Sequence, residues 1–327
     1  MHLRQTRFFL SGRSFSTKAV FDRKLKTVQR NIAATLEDRE DYEYLHDAVA
    51  ERVVDRLADI TRTFPVAVDV GCRAGHICKS LCDDAWDGEA RGGVKSLIQC
   101  DVALEMVVAA EKAAMHERVT NAGLKVHSLV ADEEHLPFAE ESVDLALSSL
   151  SLHWVNDLPG ALTQIKQSLK PDGVFIGAML GGETLKELRS SLLLAEQERE
   201  GGVGIHISPF AQVADCGNLI QRAGFSLPTV DTDLIQVDYP DAFTLMSHLG
   251  KMGENNAAIS RRPKVSRETF IAAAAIYQEL YGNEDGSVPA TFQVLYMIGW
   301  KPHASQPAPK KRGSATRSFK DLQVHRG

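Results

Sequence analysis

Three aspartates, each at or just beyond the end of an apolar run, have the type and spacing to bind a ligand. Asp69, Asp101 and Asp132 follow one another at intervals of about thirty residues. In a sheet of parallel strands, the carboxyl ends of the strands meet at the edge where ligands bind. Carboxylates there could accept hydrogen bonds from the amine, ribose and adenine groups of a nucleoside cofactor. The alternative is that these acids only favour turns and helix N-termini.

A glycine turn follows the first of these apolar runs. Asp69 begins the pattern D-x-G-x-x-x-G, whose glycines are Gly71 and Gly75. Glycine lets the backbone approach a ligand closely, and the start of the next helix offers free N–H donors. The predicted cofactor-binding residues are those of this turn and the strand-end acids: Asp69, Gly71, Cys72, Gly75, Asp101, Asp132 and Glu133.

Alternating strands and helices must position these residues. Apolar periodicity predicts a helix over 40–62 and a set of strands separated by helices. The core strands are predicted at 66–70, 96–100, 124–130, 142–149 and 174–179. Two later strands, at 226–237 and 291–300, would form an antiparallel hairpin at the edge of the sheet. The predicted fold class is therefore α/β, with a mostly parallel sheet.

The chain is predicted to consist of a leader, one domain and a tail. Residues 1–21 are basic and contain no acid, which is typical of a mitochondrial transit peptide; a disordered basic tail is the alternative. The domain is predicted over 40–300, with its core at 62–180 and a cap and hairpin region at 181–300. Residues 301–327 are rich in Pro, Lys and Ser and are predicted to be a basic, mostly disordered tail.

The charge distribution limits the classes of partner. The 327 residues carry a net charge of −6, and because both ends are basic, the body between them is more acidic than the total. An acidic body argues against nucleic acid as a substrate, because phosphate binding depends on Lys and Arg. It would suit a basic protein, with a solvated acidic surface as the alternative. No apolar run reaches the length of about 18 residues that indicates a transmembrane helix.

The five cysteines have no spacing that predicts a metal site. Cys72, Cys78 and Cys82 cluster around the glycine turn, but the chain has no C-x-x-C pair. We interpret the cysteines as small buried residues in a reducing compartment.

Four segments together resemble the successive motifs of class I S-adenosylmethionine-dependent methyltransferases. They are Asp69-Val-Gly-Cys-Arg-Ala-Gly75, Asp101-Val-Ala-Leu-Glu-Met106, Ala131-Asp-Glu-Glu-His-Leu-Pro-Phe138 and Leu169-Lys-Pro-Asp-Gly173. The resemblance implies a Rossmann-like, seven-stranded mixed sheet with helical insertions, and S-adenosyl-L-methionine as the cofactor. The nearest branch resembles the methyltransferase of early biotin synthesis, which methylates a malonyl thioester.

A narrower resemblance extends over nearly the whole chain. Segments such as Val20-Phe-Asp-Arg23, Leu150-Ser-Leu-His-Trp-Val-Asn-Asp157 and Met297-Ile-Gly-Trp300 are similar to the mitochondrial complex I assembly factor 5 family. The resemblance implies an assembly factor of NADH:ubiquinone oxidoreductase that hydroxylates an arginine of an iron–sulfur subunit. It further implies a location in the mitochondrial matrix, with peripheral association at the matrix face of the inner membrane.

The catalytic residues stay open, but three residues are candidates for substrate contact. His153 and Trp154 follow the fourth strand, near where a substrate would enter, and Glu183 follows the fifth. A carboxylate would suit a substrate guanidinium through bidentate pairing. The alternatives are a packed tryptophan with a capping histidine, and a solvated acidic helix face.

Two features depart from the expected patterns. Arg73 stands where the first methyltransferase motif usually has a glycine, so its side chain either points to solvent or weakens cofactor binding. No H-x-D or H-x-E sequence is present for a two-histidine, one-carboxylate iron site, so no metal site is predicted. A conventional methyltransferase acting on a protein or a small carboxylic acid, and a non-catalytic assembly chaperone, are therefore the competing hypotheses.

Overall fold

A sheet of seven strands forms the centre of the computed structural model, which describes residues 19–82, 89–262, 264–307 and 312–314. The strands are β1 (Val66–Val70), β2 (Ser96–Asp101), β3 (Lys125–Val130), β4 (Val143–Ser149), β5 (Leu169–Leu180), β6 (Ser226–Tyr239) and β7 (Val288–Trp300). Their order is β3-β2-β1-β4-β5-β7-β6. Strands β1 to β5 are parallel, and β7 is antiparallel to both β5 and β6. The predicted mixed α/β sheet with a late hairpin is confirmed.

Helices connect the strands and cover both faces of the sheet. The helices of the described residues are α1 (Arg23–Ala34), α2 (Tyr44–Asp55), α3 (His76–Leu81), α4 (Leu104–Ala114), α5 (Glu117–Asn121), α6 (Leu158–Ser168), α7 (Lys186–Glu200), α8 (Val213–Arg222), α9 (Ala242–Lys251) and α10 (Arg267–Tyr281). Within the described ranges, none of them combines the length and the apolarity that crossing a membrane requires.

Apolar side chains cover both faces of the sheet, as buried parallel strands require. Ala67 and Val68 are neighbours on β1 and point to opposite faces. Ala67 belongs to a core that includes α2, whereas Val68 belongs to a core that includes α6 and α8. The turn that follows β1 is therefore held between two packed layers.

Helix α1 lies before the domain start that was predicted at residue 40, and it packs across the carboxyl edge of the sheet. Asp22 caps the helix by accepting a hydrogen bond from the Leu25 N–H at 3.0 Å. The buried residues of α1 are Lys26, Arg30 and Ala33, whose spacing places them on one face. Because two of the three are cations, this buried face has no apolar periodicity in the sequence.

The segment before α1 is anchored to the body of the protein. Phe21 forms an isolated antiparallel bridge with Ala258, and the side-chain oxygen of Asn156 accepts from the backbone N–H groups of Val20 and Phe21, both at 2.8 Å. The Phe21 ring packs edge-on against Trp154, with 5.4 Å between the ring centroids. The predicted transit peptide lies outside the described residues except for its last three positions, as does most of the predicted tail.

Candidate functional site

The glycine turn predicted from the sequence connects β1 to α3. The backbone N–H groups of Gly71 and Cys72 donate to the Cys100 carbonyl on β2, at 2.8 and 2.9 Å. Gly71 has a φ of 74°, and a Cβ atom at this position would lie 2.1 Å from Ser151 Oγ. Glycine is required here, because any side chain would be strained and would overlap the segment after β4.

Asp69 lies on β1 below this turn and is fully buried. Among the described residues, neither oxygen of its carboxyl group has a hydrogen-bond partner. Burial and the nearby Asp101 carboxylate raise the pKa of Asp69 well above its usual value. Burial therefore favours the protonated form of Asp69, and its carboxyl is a polar group without a partner among the described residues at the floor of the site.

Asp101 ends β2 and is the second acid of the predicted set. It accepts hydrogen bonds from the backbone N–H groups of Arg73 at 3.2 Å and Ala103 at 2.9 Å. It also pairs with Arg30 on α1, whose Nη1 lies 3.2 Å from Asp101 Oδ2. Both side chains are fully buried, so this ion pair lies at the base of the site rather than at its rim.

Asp132 and Glu133 follow β3 and complete the set of acids. The buried Glu133 carboxylate accepts from Ser151 Oγ at 2.7 Å and from Arg30 Nη1 at 2.9 Å. Arg23 bridges the two acids, because its Nη2 lies 2.7 Å from Asp132 Oδ1 and also binds Glu133. Burial alone would raise the pKa of Glu133, but the charges of Arg30 and Arg23 outweigh burial and lower it.

The predicted turn and acids therefore meet at one edge of the sheet, but two cations that the sequence analysis did not select lie among them. Arg23 and Arg30 belong to α1, and their partners are distant in sequence. No local motif could have revealed these pairs. The roles assigned to the predicted residues in cofactor binding stay predictions.

Arg73 does not point to solvent, which was one of the two expectations for it. Its side chain is buried, its φ is 50°, and its Nη1 lies 2.7 Å from Glu254 Oε1. Its Nη2 also binds the Met252 carbonyl. The guanidinium thus turns away from the glycine turn and holds the segment that joins α9 to α10.

Glu254 is another residue of this region that the sequence did not single out. Its buried carboxylate accepts from Trp154 Nε1 at 2.8 Å and lies 3.3 Å from His153 Nε2, in addition to its pair with Arg73. Burial raises the pKa of Glu254, but the charge of Arg73, above all, lowers it well below its usual value. Glu254 therefore links the glycine turn to the two residues predicted to contact substrate.

Glu183, the third residue predicted to contact substrate, lies elsewhere. It is exposed where the chain leaves β5, and its backbone N–H donates to Gln293 Oε1 at 3.0 Å. The structure brings His153 and Trp154 together with Glu254, but it does not bring the Glu183 side chain to them.

A buried lysine lies between the acids and the Glu254 segment. Lys26 Nζ donates to the carbonyls of Gly253 at 3.0 Å and Asn255 at 2.7 Å, and it lies 3.4 Å from the centroid of the Trp154 ring. Burial lowers the pKa of Lys26 well below its usual value. This residue fastens α1 to the segment after α9.

A cavity of about 420 Å³ adjoins this cluster. Leu25 and Gln29 of α1 form part of its wall, next to the face of α1 that carries Lys26 and Arg30. Most of the lining is apolar. It consists of Leu45 of α2, Leu180 of β5, Leu185 just before α7, Leu188 and Leu192 of α7, Met246 and Leu249 of α9, Phe270 of α10, and Phe292 of β7. Its polar wall includes Glu254. Helix α1 therefore contributes residues both to the cavity, through Leu25 and Gln29, and to the strand-end acids, through Arg30.

In the described part of the chain, no group of three or more His, Cys, Asp or Glu side chains comes together in a way that could hold a metal ion. All five cysteines are free and buried, and burial raises the pKa of Cys82 and Cys216 to about 11.

Comparisons with known proteins define the class. A family model described as "Methyltransferase domain" matches residues 68–177, which run from β1 into β5. The YcgJ protein of Bacillus subtilis is similar in fold, with a TM-score of 0.53 and 16% identity over 79% of this chain and 100% of that chain. The fold is therefore of the class I methyltransferase type.

Closer relatives define the family. A Danio rerio protein named "Arginine-hydroxylase NDUFAF5, mitochondrial" is 53% identical over 313 residues, covering 95% of this chain and 92% of that protein. A malonyl-acyl carrier protein O-methyltransferase of Methylovorus sp. (strain MP688) is 33% identical over 267 residues, covering 81% and 85%. The chain belongs to the mitochondrial arginine-hydroxylase NDUFAF5 family, as its motifs predicted.

Proposed function

We propose that this protein hydroxylates an arginine side chain of an iron–sulfur subunit of complex I, in the mitochondrial matrix at the face of the inner membrane. The name of its relatives supports arginine as the target and the mitochondrion as the location. In the molecule, one observation carries the proposal. The strand-end acids and an apolar cavity share α1 as a common wall, which suits a cofactor on one side and a substrate side chain on the other.

The residues at the carboxyl edge suit S-adenosyl-L-methionine. The polar group of Asp69 has no hydrogen-bond partner in the described part of the chain, and Gly71 has no room for a Cβ atom. Asp101 would accept hydrogen bonds from the ribose hydroxyls, and Asp132 from the exocyclic amine of adenine. When bound, this cofactor supplies a sulfonium centre with an electrophilic methyl group. The acids and the turn would hold it through its nucleoside.

The cavity suits the side chain of a target arginine. Its apolar walls match the three methylene groups of arginine, and an arginine guanidinium needs hydrogen-bond acceptors at the far end. Gln29 offers one: its Nε2 donates to the Asn256 carbonyl at 3.3 Å, while its buried Oε1 has no partner among the described residues. We assign Gln29 Oε1 as an acceptor for the substrate guanidinium.

The proposed reaction has a definite balance. One atom of molecular oxygen enters a C–H bond of the arginine side chain to give an alcohol, and the other leaves as water. This requires two electrons and two protons from a reductant that donates two electrons. Methyl transfer, in contrast, would add a methyl group and release the demethylated cofactor.

Mass spectrometry of the iron–sulfur subunit tests the proposal. Mitochondria that lack this protein are compared with mitochondria that regain it. We expect one arginine to gain about 16 mass units when the protein is present, whereas a gain of about 14 would indicate methylation. Normal assembly of complex I with no change in mass would favour the chaperone hypothesis and overturn the proposal.

Two variants and a control separate the cofactor half of the site from the substrate half. Asp132→Ala removes a predicted adenine acceptor, and Gln29→Met removes the predicted guanidinium acceptor at nearly constant volume. Loss of a hydrogen bond to a charged group costs about 1.5–3 kcal/mol, so we expect Gln29→Met to lower kcat/KM roughly ten- to a hundredfold without weakening cofactor binding. The control is Asp231→Asn, on exposed β6, which should behave as the unmodified protein. A normal rate in Gln29→Met would refute the assignment of Gln29.

A further inference from the structure

Arg30 lies among the residues predicted to bind the cofactor. It is fully buried on α1, and its Nη1 lies 3.2 Å from Asp101 Oδ2 and 2.9 Å from Glu133 Oε1. Its Nη2 donates to Ser151 Oγ at 2.8 Å. The guanidinium therefore satisfies two acids that were predicted to bind a cofactor.

The same groups that hold Arg30 lie directly against the glycine turn. From an ideal Cβ position on Gly71, Ser151 Oγ would be 2.1 Å away and Glu133 Oε1 would be 3.2 Å away. Asp101, the third partner of Arg30, accepts the backbone N–H of Arg73 within that turn. The Arg30 guanidinium thus lies where the ribose of a cofactor would lie if the glycine turn and Asp101 held that cofactor.

We propose that Arg30 and the cofactor compete for Asp101 and Glu133, so that the Arg30 side chain closes the empty site and withdraws when the cofactor binds. The inference rests on the cofactor site proposed above. It concerns the side chain alone, because the start of α1 is anchored through Phe21 and Asn156.

Electrostatics explain why a closing cation would be needed. Asp101 and Glu133 are both fully buried, and buried carboxylates without a counter-charge are strongly destabilising. Arg30 neutralises them while the site is empty. A cofactor that brings its own hydroxyl and amine donors would replace those interactions. Because only molecules whose Arg30 side chain has withdrawn can bind it, the apparent affinity equals the intrinsic affinity multiplied by the fraction of such molecules.

Calorimetric titration of the full chain with S-adenosylhomocysteine tests the competition. Arg30→Met removes the charge while keeping much of the side chain's length. We expect it to bind the probe at least tenfold more tightly than the unmodified protein does, and to unfold at a lower temperature without the probe. Arg52→Met is the matched control, because Arg52 pairs with Asp233 on the surface at 2.8 Å. Its affinity should not change.

The outcomes distinguish the inference from the proposal that supports it. Binding to neither the unmodified protein nor the variant would reject the cofactor site and the competition with it. Equal or weaker binding to Arg30→Met than to the unmodified protein would reject the competition and leave the cofactor site standing. If Arg30→Met does not fold, Arg30→Lys decides, because it keeps a charge but loses the forked guanidinium. Tighter binding to Arg30→Lys supports the competition, and equal or weaker binding overturns it.

Discussion

Replacement of Arg73 by glycine would restore the usual methyltransferase motif, yet we expect it to destabilise the protein. Arg73 is the ion-pair partner of the buried Glu254. The neighbouring histidines are poor substitutes, because burial lowers the pKa of His46 to about 3 and also lowers the pKa of His153. The variant would therefore leave a buried carboxylate without the counter-charge that lowers its pKa most.

Two opposing contributions determine the change in the free energy of unfolding of Arg73→Gly. Breaking a buried ion pair by removing one partner costs about 3–5 kcal/mol. Glycine at this position removes the strain of a left-handed backbone, where Arg73 has a φ of 50°, and so returns about 1–2 kcal/mol. We expect the free energy of unfolding of Arg73→Gly to fall by about 2.5 kcal/mol, the difference between the centres of these ranges.

The loss of stability in Arg73→Gly should increase as the pH rises. In the unmodified protein the pKa of Glu254 is lowered, so its contribution to stability is present above the unfolded-state pKa and is lost as pH falls through the folded-state pKa. Without Arg73, burial would raise the folded-state pKa above the unfolded-state value of about 4.3, and stability would instead be lost as pH rises. The deficit of Arg73→Gly should therefore be larger at pH 7.5 than at pH 5.

Urea unfolding at both pH values measures this deficit, and a double-mutant cycle identifies its cause. Glu254→Gln keeps a group that can hydrogen-bond to Trp154 while removing the charge. In the double variant Arg73→Gly, Glu254→Gln, we expect the two losses to overlap, with a coupling energy of about 2 kcal/mol. Additive losses together with a deficit that does not vary with pH would refute the assignment of the ion pair as the cause.

Two further changes test the turn and the anchor of α1. Gly71→Ala should lower the free energy of unfolding, measured in urea, by about 1–3 kcal/mol more than the control Gly123→Ala does. Both glycines have a positive φ, but of the two only Gly71 has neighbouring atoms where a Cβ atom would lie. Equal losses of free energy in the two variants would contradict this close contact. Asn156→Ala should speed amide exchange of Val20 and Phe21, whose N–H groups it leaves unpaired, but not exchange in α10, and unchanged exchange would show that this anchor is not needed.

The sheet and the turn could be predicted because their signals are local. An apolar run followed by glycines predicts a strand, a turn and a helix start, and each strand-end acid is read from its position after such a run. The resemblance of these segments to class I methyltransferase motifs then implied seven strands. Gly71, Asp101 and Glu133 meet in the structure because the carboxyl ends of parallel strands meet at one edge.

The other half of the site depends on contacts between distant parts of the chain. Arg30 and Arg23 lie in a polar stretch that would normally be predicted to be exposed. Arg30 is buried and Arg23 is partly buried because acids at the ends of β2 and β3 pair with them. Glu254 lies between two helices, and its partners Arg73 and Trp154 come from other elements. Such pairs are defined by the fold as a whole, so sequence spacing carries no signal for them.

The unpartnered carboxyl of Asp69 has a consequence for how the site handles charge. Burial and the neighbouring Asp101 raise the pKa of this carboxyl, and a cationic ligand that comes close would lower it again. Binding of a sulfonium would therefore shift Asp69 toward its ionised form. A proton released in this way would make the measured heat of association vary with the ionisation enthalpy of the buffer.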